Sequence, residues 1–166
     1  MRLAMPKSNP HIALRTAQLR GAQVSEVSYE FLEHASDAYV AARGKNLGEA
    51  FASAALALCS ILTDPSKVRP KETYEVEVRA EDLESLLYKW LESLLIKFEV
   101  EGMLYSKYSV DVSRRDGDYV LRAIAGGEKY DPSIHPSGVA VKAVTYHGMK
   151  ITCDDDSCEV RVLFDI

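Results

Sequence analysis

The chain has 166 residues, 47% of them apolar, which suits one compact domain with a sizeable core. Twenty basic residues against 25 acidic ones give a net charge of −5, which argues against a protein that coats nucleic acid through bulk charge. No run of 18 apolar residues occurs, so no membrane-spanning helix is expected.

Residues 1–27 carry four basic residues and one acid, whereas residues 28–166 carry sixteen against twenty-four. With Pro6, Pro10 and no sustained periodicity, residues 1–27 read as a flexible N-terminal extension to a domain over 28–166. An acid-poor, Arg-bearing transit peptide and a later start codon are the other readings of this segment. Three cysteines, Cys59, Cys153 and Cys158, without the long apolar stretch of a signal peptide, fit reduced thiols in a cytoplasmic protein.

In chain order, Tyr29 to His34 and Asp37 to Arg43 read as two short strands. Asn46 with Glu49 three residues on is a capping-box pattern, and the apolar residues from Leu47 to Leu62 follow three-four spacing up to Pro65. The spacing predicts a helix over about 47–63 with one buried face. A strand over Val68 to Arg79 follows, ending in strict alternation from Tyr74. Asp82 and Glu84 then precede the stripe Leu83, Leu86, Leu87, Trp90, Leu91, Leu94, Leu95 and Phe98, a second helix that stops before Gly102. Tyr105 to Ser113 and Tyr119 to Ala125 flank Asp116-Gly117, a tight-hairpin dipeptide. After a loop with Pro132 and Pro136 come a strand over Val139 to Tyr146 and a last hairpin pairing Lys150 to Cys153 with Glu159 to Phe164. This order predicts an α+β fold, a mostly antiparallel sheet carrying two helices.

The last strand brings Asp165 next to the terminal carboxylate of Ile166. Neighbouring carboxylates repel unless a cation compensates them, and their oxygens are hard donors suited to Ca2+ or Mg2+. Asp37, in the turn after the first strand, is a candidate third ligand, with His34 as a donor that orients it or as an imidazole ligand. Taken alone, these residues fit a frayed chain end and an ordinary turn aspartate better than a metal site. Asp154 to Asp156 lack calcium-loop spacing and read as a solvated turn. Cys153 and Cys158 flank that turn, have no further Cys or His pair to complete a zinc site, and are read as free thiols. Alternation puts Lys142 and Tyr146 on one face and Thr145 and His147 on the other, so they cannot share a pocket without a bulge. Glycine-rich phosphate loops, nucleophile elbows and zinc-protease motifs are absent from the sequence.

From Tyr29 to Ile166 the chain resembles the archease family. The resemblance rests on YEFLEHASDA (Tyr29 to Ala38), LCSILTDPSKV (Leu58 to Val68), LYKWLESLL (Leu87 to Leu95), YDPSIHPSG (Tyr130 to Gly138), VKAVTYHG (Val141 to Gly148) and the terminal Leu163-Phe164-Asp165-Ile166. It implies a β-sheet sandwich with two antiparallel helices. It also implies a non-catalytic accessory protein of an RtcB-type RNA ligase, acting indirectly on tRNA exon halves by promoting guanylylation and turnover of the ligase. The family's metal site falls on Asp37, Asp165 and the Ile166 carboxylate, with calcium as the expected ion and Mg2+ or Mn2+ as alternatives. His34, Lys142, Tyr146 and His147 are then candidate supporting or partner-contact residues, and strong direct nucleic-acid binding is not expected. One departure is His34-Ala35-Ser36-Asp37, where family members commonly carry Thr between the His and the Asp. A metal-dependent phosphoester hydrolase and a chaperone-like binder of RNA-processing enzymes are the alternative functions.

Overall fold

The structure, a computed structural model, describes residues 28–34 and 36–166. The extension expected over residues 1–27 lies outside the described residues. Among the described residues seven strands, β1 (Ser28–Leu32), β2 (Ala38–Gly44), β3 (Glu72–Ala80), β4 (Met103–Arg115), β5 (Asp118–Lys129), β6 (Ala143–Cys153) and β7 (Cys158–Asp165), form two sheets. The α-helices among the described residues are α1 (Leu47–Leu62) and α2 (Leu83–Glu101). One sheet has the order β1-β2-β7-β6 and the other β3-β5-β4, and neighbours in both are antiparallel. The α+β class is as the sequence predicts.

The helices form a layer between the sheets. α1 packs against β2 and β7 on one side and β4 on the other, and α2 against β6 on one side and β3, β4 and β5 on the other. This changes the reading of α1 as a helix with one buried face: its buried residues run almost all the way round, from Ala50 to Leu62. Ala50, Ala52, Ala54, Ala55 and Ala57 suit that position, because a helix covered on both sides needs small side chains where backbones come close. In α2 Leu86, Leu87, Trp90 and Leu91 are fully buried, and the Trp90 indole N–H donates to the Phe51 carbonyl of α1 at 3.1 Å. Burying each such side chain contributes about 1.5–3 kcal/mol, which chain ordering largely offsets.

Local signals in the sequence set the element ends. The Asn46 side chain accepts from the Glu49 amide at 2.9 Å. Glu49 reaches back to the Lys45 amide rather than to that of the cap residue. Asp82 caps α2 by accepting from Ser85, and Gly102 ends it at φ +69. Asp116 and Gly117 both adopt positive φ, as a two-residue primed hairpin turn requires.

Three expectations are corrected. Residues Pro65–Lys67 form a 3-10 turn and β3 starts at Glu72, not Val68, because Pro65 and Pro70 withhold ladder donors. Residues 139–142 lie outside any strand, and β6 is one strand running through to Cys153. It contains the bulge that alternation did not foresee: Thr145 pairs with Leu163 and Lys150 with Arg161, so four residues of β6 face one of β7. Finally, Cys153 and Cys158 are not free thiols. They stand directly opposite each other in register and are joined at an S–S distance of 2.07 Å. The short loop Asp154 to Ser157, closed by the Asp154 amide on the Ser157 carbonyl, brings them together.

Candidate functional site

In the first sheet Val40, Ala42, Val160, Val162 and Phe164 face the helices and are fully buried. Their neighbours Tyr39, Arg43, Glu159 and Arg161 point outward. Arg43 bridges Glu30 at 2.6 Å and Glu159 at 2.8 Å, and Arg161 holds the other oxygen of Glu159. These guanidinium groups lower the Glu159 carboxyl pKa, Arg161 most. The outer face of the sheet therefore carries an internally compensated ion network.

At the far end of that face the compensation stops. Ala38 pairs with Phe164, so Asp37 stands one residue beyond the ladder, level with Asp165, and Ala143 flanks Asp165 on its other side. Directly opposed residues in an antiparallel pair lie about 4.5–5.5 Å apart and share a face. Both carboxylates are half-buried. His34 Nδ1 is 3.4 Å from Asp37 Oδ2. Among the described residues the Asp165 carboxylate has no hydrogen-bond or ion-pair partner. The chain end does not fray. Ile166 packs against the core, and the Lys142 amide donates to the Asp165 carbonyl at 2.7 Å.

The structure thus brings together Asp37, Asp165, Ile166, His34 and the backbone of Lys142. Tyr146 and His147 lie apart from them, exposed in the β6 bulge, with the Tyr146 ring stacked on Tyr88 at 4.4 Å between centroids. Among the described residues no three His, Cys, Asp or Glu side chains form a metal cage. What the register does supply is two carboxylates level on one face, and carboxylate oxygens are hard donors of the kind that Ca2+ or Mg2+ takes.

Two groups escaped the sequence reading. Tyr39 sits on the same face as Asp37, and its hydroxyl donates to the Gly148 carbonyl at 2.8 Å. The second is a buried cluster inside the YDPSIHPSG stretch. His135 is fully buried, accepts the Asp131 amide at Nδ1 and is bonded through Nε2 to Glu128 at 2.9 Å. Glu128 also takes the Arg69 amide and guanidinium. Burial alone pushes the Glu128 carboxyl up, but the hydrogen bonds from Arg69 and His135, with the Arg69 charge, hold it at about 2. This cluster fixes the loop whose Gly138 and Val139 amides cap the carbonyls of Leu62 and Ile61 at the end of α1. The only sequence signal for it was a histidine between two prolines.

A layer of two helices between antiparallel sheets, with an acidic pair at one sheet end, defines a small α+β protein with no described helix long and apolar enough to cross a membrane. Comparison with known proteins places it more closely. The profile of the archease protein family (MTH1598/TM1083) matches residues 29–166, and the chain belongs to that family. It is 48% identical over 123 residues to the protein archease of Sulfurisphaera tokodaii, spanning 74% of this chain and 87% of that one. The solution structure of protein 1598 of Methanobacterium thermoautotrophicum is similar with a TM-score of 0.74 and 38% identity, covering 83% of this chain and 98% of that one. A Thermotoga maritima archease described as a possible chaperone shares the fold at a TM-score of 0.54 and 19% identity, covering 82% and 96% of the two chains.

Proposed function

We propose that this chain is a non-catalytic accessory protein of an RtcB-type RNA ligase, serving tRNA splicing and RNA repair by promoting guanylylation and repeated turnover of the ligase. Family membership supports this reading, and the observation that carries it is the level pair Asp37 and Asp165, with Asp165 uncompensated among the described residues. Asp37, Asp165 and the Ile166 carboxylate would hold a divalent cation, Ca2+ in the first instance, with His34 orienting Asp37. Bound there, such a cation supplies positive charge for phosphate oxygens. The chain's own part is positional. The ladder from Ala38 to Phe164 fixes the spacing of the two carboxylates. The Lys142 amide pins the Asp165 backbone, and Lys142 itself is exposed. A partner held in its reactive arrangement by such a surface gains rate without receiving a catalytic group.

The test is to incubate the ligase of the same organism with labelled GTP, with and without this protein. Stimulation of labelling is expected, and Asp37→Ala or Asp165→Ala should reduce it by at least the roughly 10–100-fold that loss of even an outer partner costs a metal site. Full stimulation by both variants would overturn the assignment. The chaperone description of the Thermotoga protein suggests a second reading, in which protection of an unfolded client is independent of Asp37 and Asp165.

A further inference from the structure

One side chain joins the acidic end of the sheet to the β6 bulge. Tyr39 stands opposite Leu163 on the outward face. Its ring meets that of His34 at 64° with centroids 6.1 Å apart, and His34 in turn contacts Asp37. On its other side the Tyr39 hydroxyl donates to Gly148. Because β7 lies between β2 and β6, this bond crosses two interstrand spacings, about 9–10 Å. The Tyr39 side chain and its 2.8 Å hydrogen bond together cover that distance, so this one residue ties β2 to the bulge of β6 across β7. Gly148 adopts a φ of +67 within the bulge, and a Cβ there would stand 3.4 Å from the Tyr39 hydroxyl. Leu163, on the outward face yet only 4% exposed, is covered as this arrangement requires. The same insertion turns Tyr146, 52% exposed, and His147 to solvent.

We propose that Tyr39 is a positioning residue that couples the acidic pair to the β6 bulge, so that the restraint cation binding places on Asp37 reaches Gly148 and sets how Tyr146 and His147 face a protein partner. The inference rests on the metal-site reading above. Asp37 held by coordination restrains His34, His34 restrains the Tyr39 ring, and the Tyr39 hydroxyl holds the one left-handed residue on which the bulge turns. The acidic pair and the bulge then act as one recognition edge rather than two separate patches.

The experiment is a CaCl2 titration of the full, 15N-labelled chain, following the amide resonances of Asp165, His147 and Gly148. In the wild type all three are expected to shift along one binding curve. In Tyr39→Phe, which removes only the hydroxyl, Asp165 is expected to keep its shift and Kd, while His147 and Gly148 lose most of theirs and ligase stimulation falls. Bulge resonances that respond equally in both proteins, or stay still in the wild type while Asp165 moves, overturn the coupling and leave the metal site standing. An Asp165 resonance that does not move in the wild type overturns the metal site and the coupling together.

Discussion

Glu128 shows how a single carboxylate can be kept charged in a buried place. Desolvation opposes its charge, yet three donors, the Arg69 amide, the Arg69 Nε and the His135 Nε2, make four hydrogen bonds to its two oxygens. Because its pKa falls from the ordinary 4.5 to about 2, the stability it confers is complete above pH 4.5 and disappears as the pH falls towards 2. Denaturant unfolding of the wild type and of Glu128→Gln should therefore differ most near neutral pH. The gap should close by on the order of 3 kcal/mol between pH 5 and pH 2. A gap that stays constant with pH would show that the carboxylate's charge contributes nothing. The carboxylates at the candidate site have a different logic. They are set level by strand register, but nothing on the described surface neutralises Asp165.

Among the elements, α1 illustrates which of two opposed effects wins. Replacing Gly48 by Ala improves intrinsic helix propensity by about 1 kcal/mol. The added Cβ, however, would lie 2.2 Å from the Val110 carbonyl oxygen of β4, and backbone cannot yield as a side-chain tip can. Overpacking of this kind costs about 1–3 kcal/mol, so Gly48→Ala is expected to lower the Tm. A higher Tm in calorimetry would mean that α1 and β4 are further apart than described. The signals legible in the sequence were those carried within one element or one turn: the Asn46 cap, the leucine stripe of α2, the left-handed Gly102 and the Asp116-Gly117 turn. What could not be read depends on register between distant strands. The β6 bulge follows from how Thr145 and Lys150 pair with β7, and the Cys153–Cys158 bond from two residues meeting face to face in that register. For the candidate site, residue spacing alone favoured a frayed end. Hard-ligand chemistry named Asp37 and Asp165 as candidates, the resemblance tipped the balance towards them, and the ladder explains why they are level.

On the scale of the whole molecule, the helical layer leaves each sheet one outward face, and the acidic pair lies where the first of these faces ends. A cation that binds only the folded chain must raise its stability, by about 2.7 kcal/mol at a free concentration 100 times the Kd. For a domain of this size that corresponds to a rise in Tm of about 5–11 °C. Thermal unfolding with CaCl2 should show this shift in the wild type and not in Asp165→Ala; equal shifts in both would place the ion elsewhere. The sulfur chemistry has a practical consequence. Cys59 is enclosed in the core, where burial and the nearby Asp64 push its thiol up to about 12, and the other two sulfurs are spent on each other. A cysteine engineered onto any solvent-facing site would thus be the sole accessible thiol for a maleimide, allowing one dye or spin probe to be attached per chain without altering a native residue elsewhere.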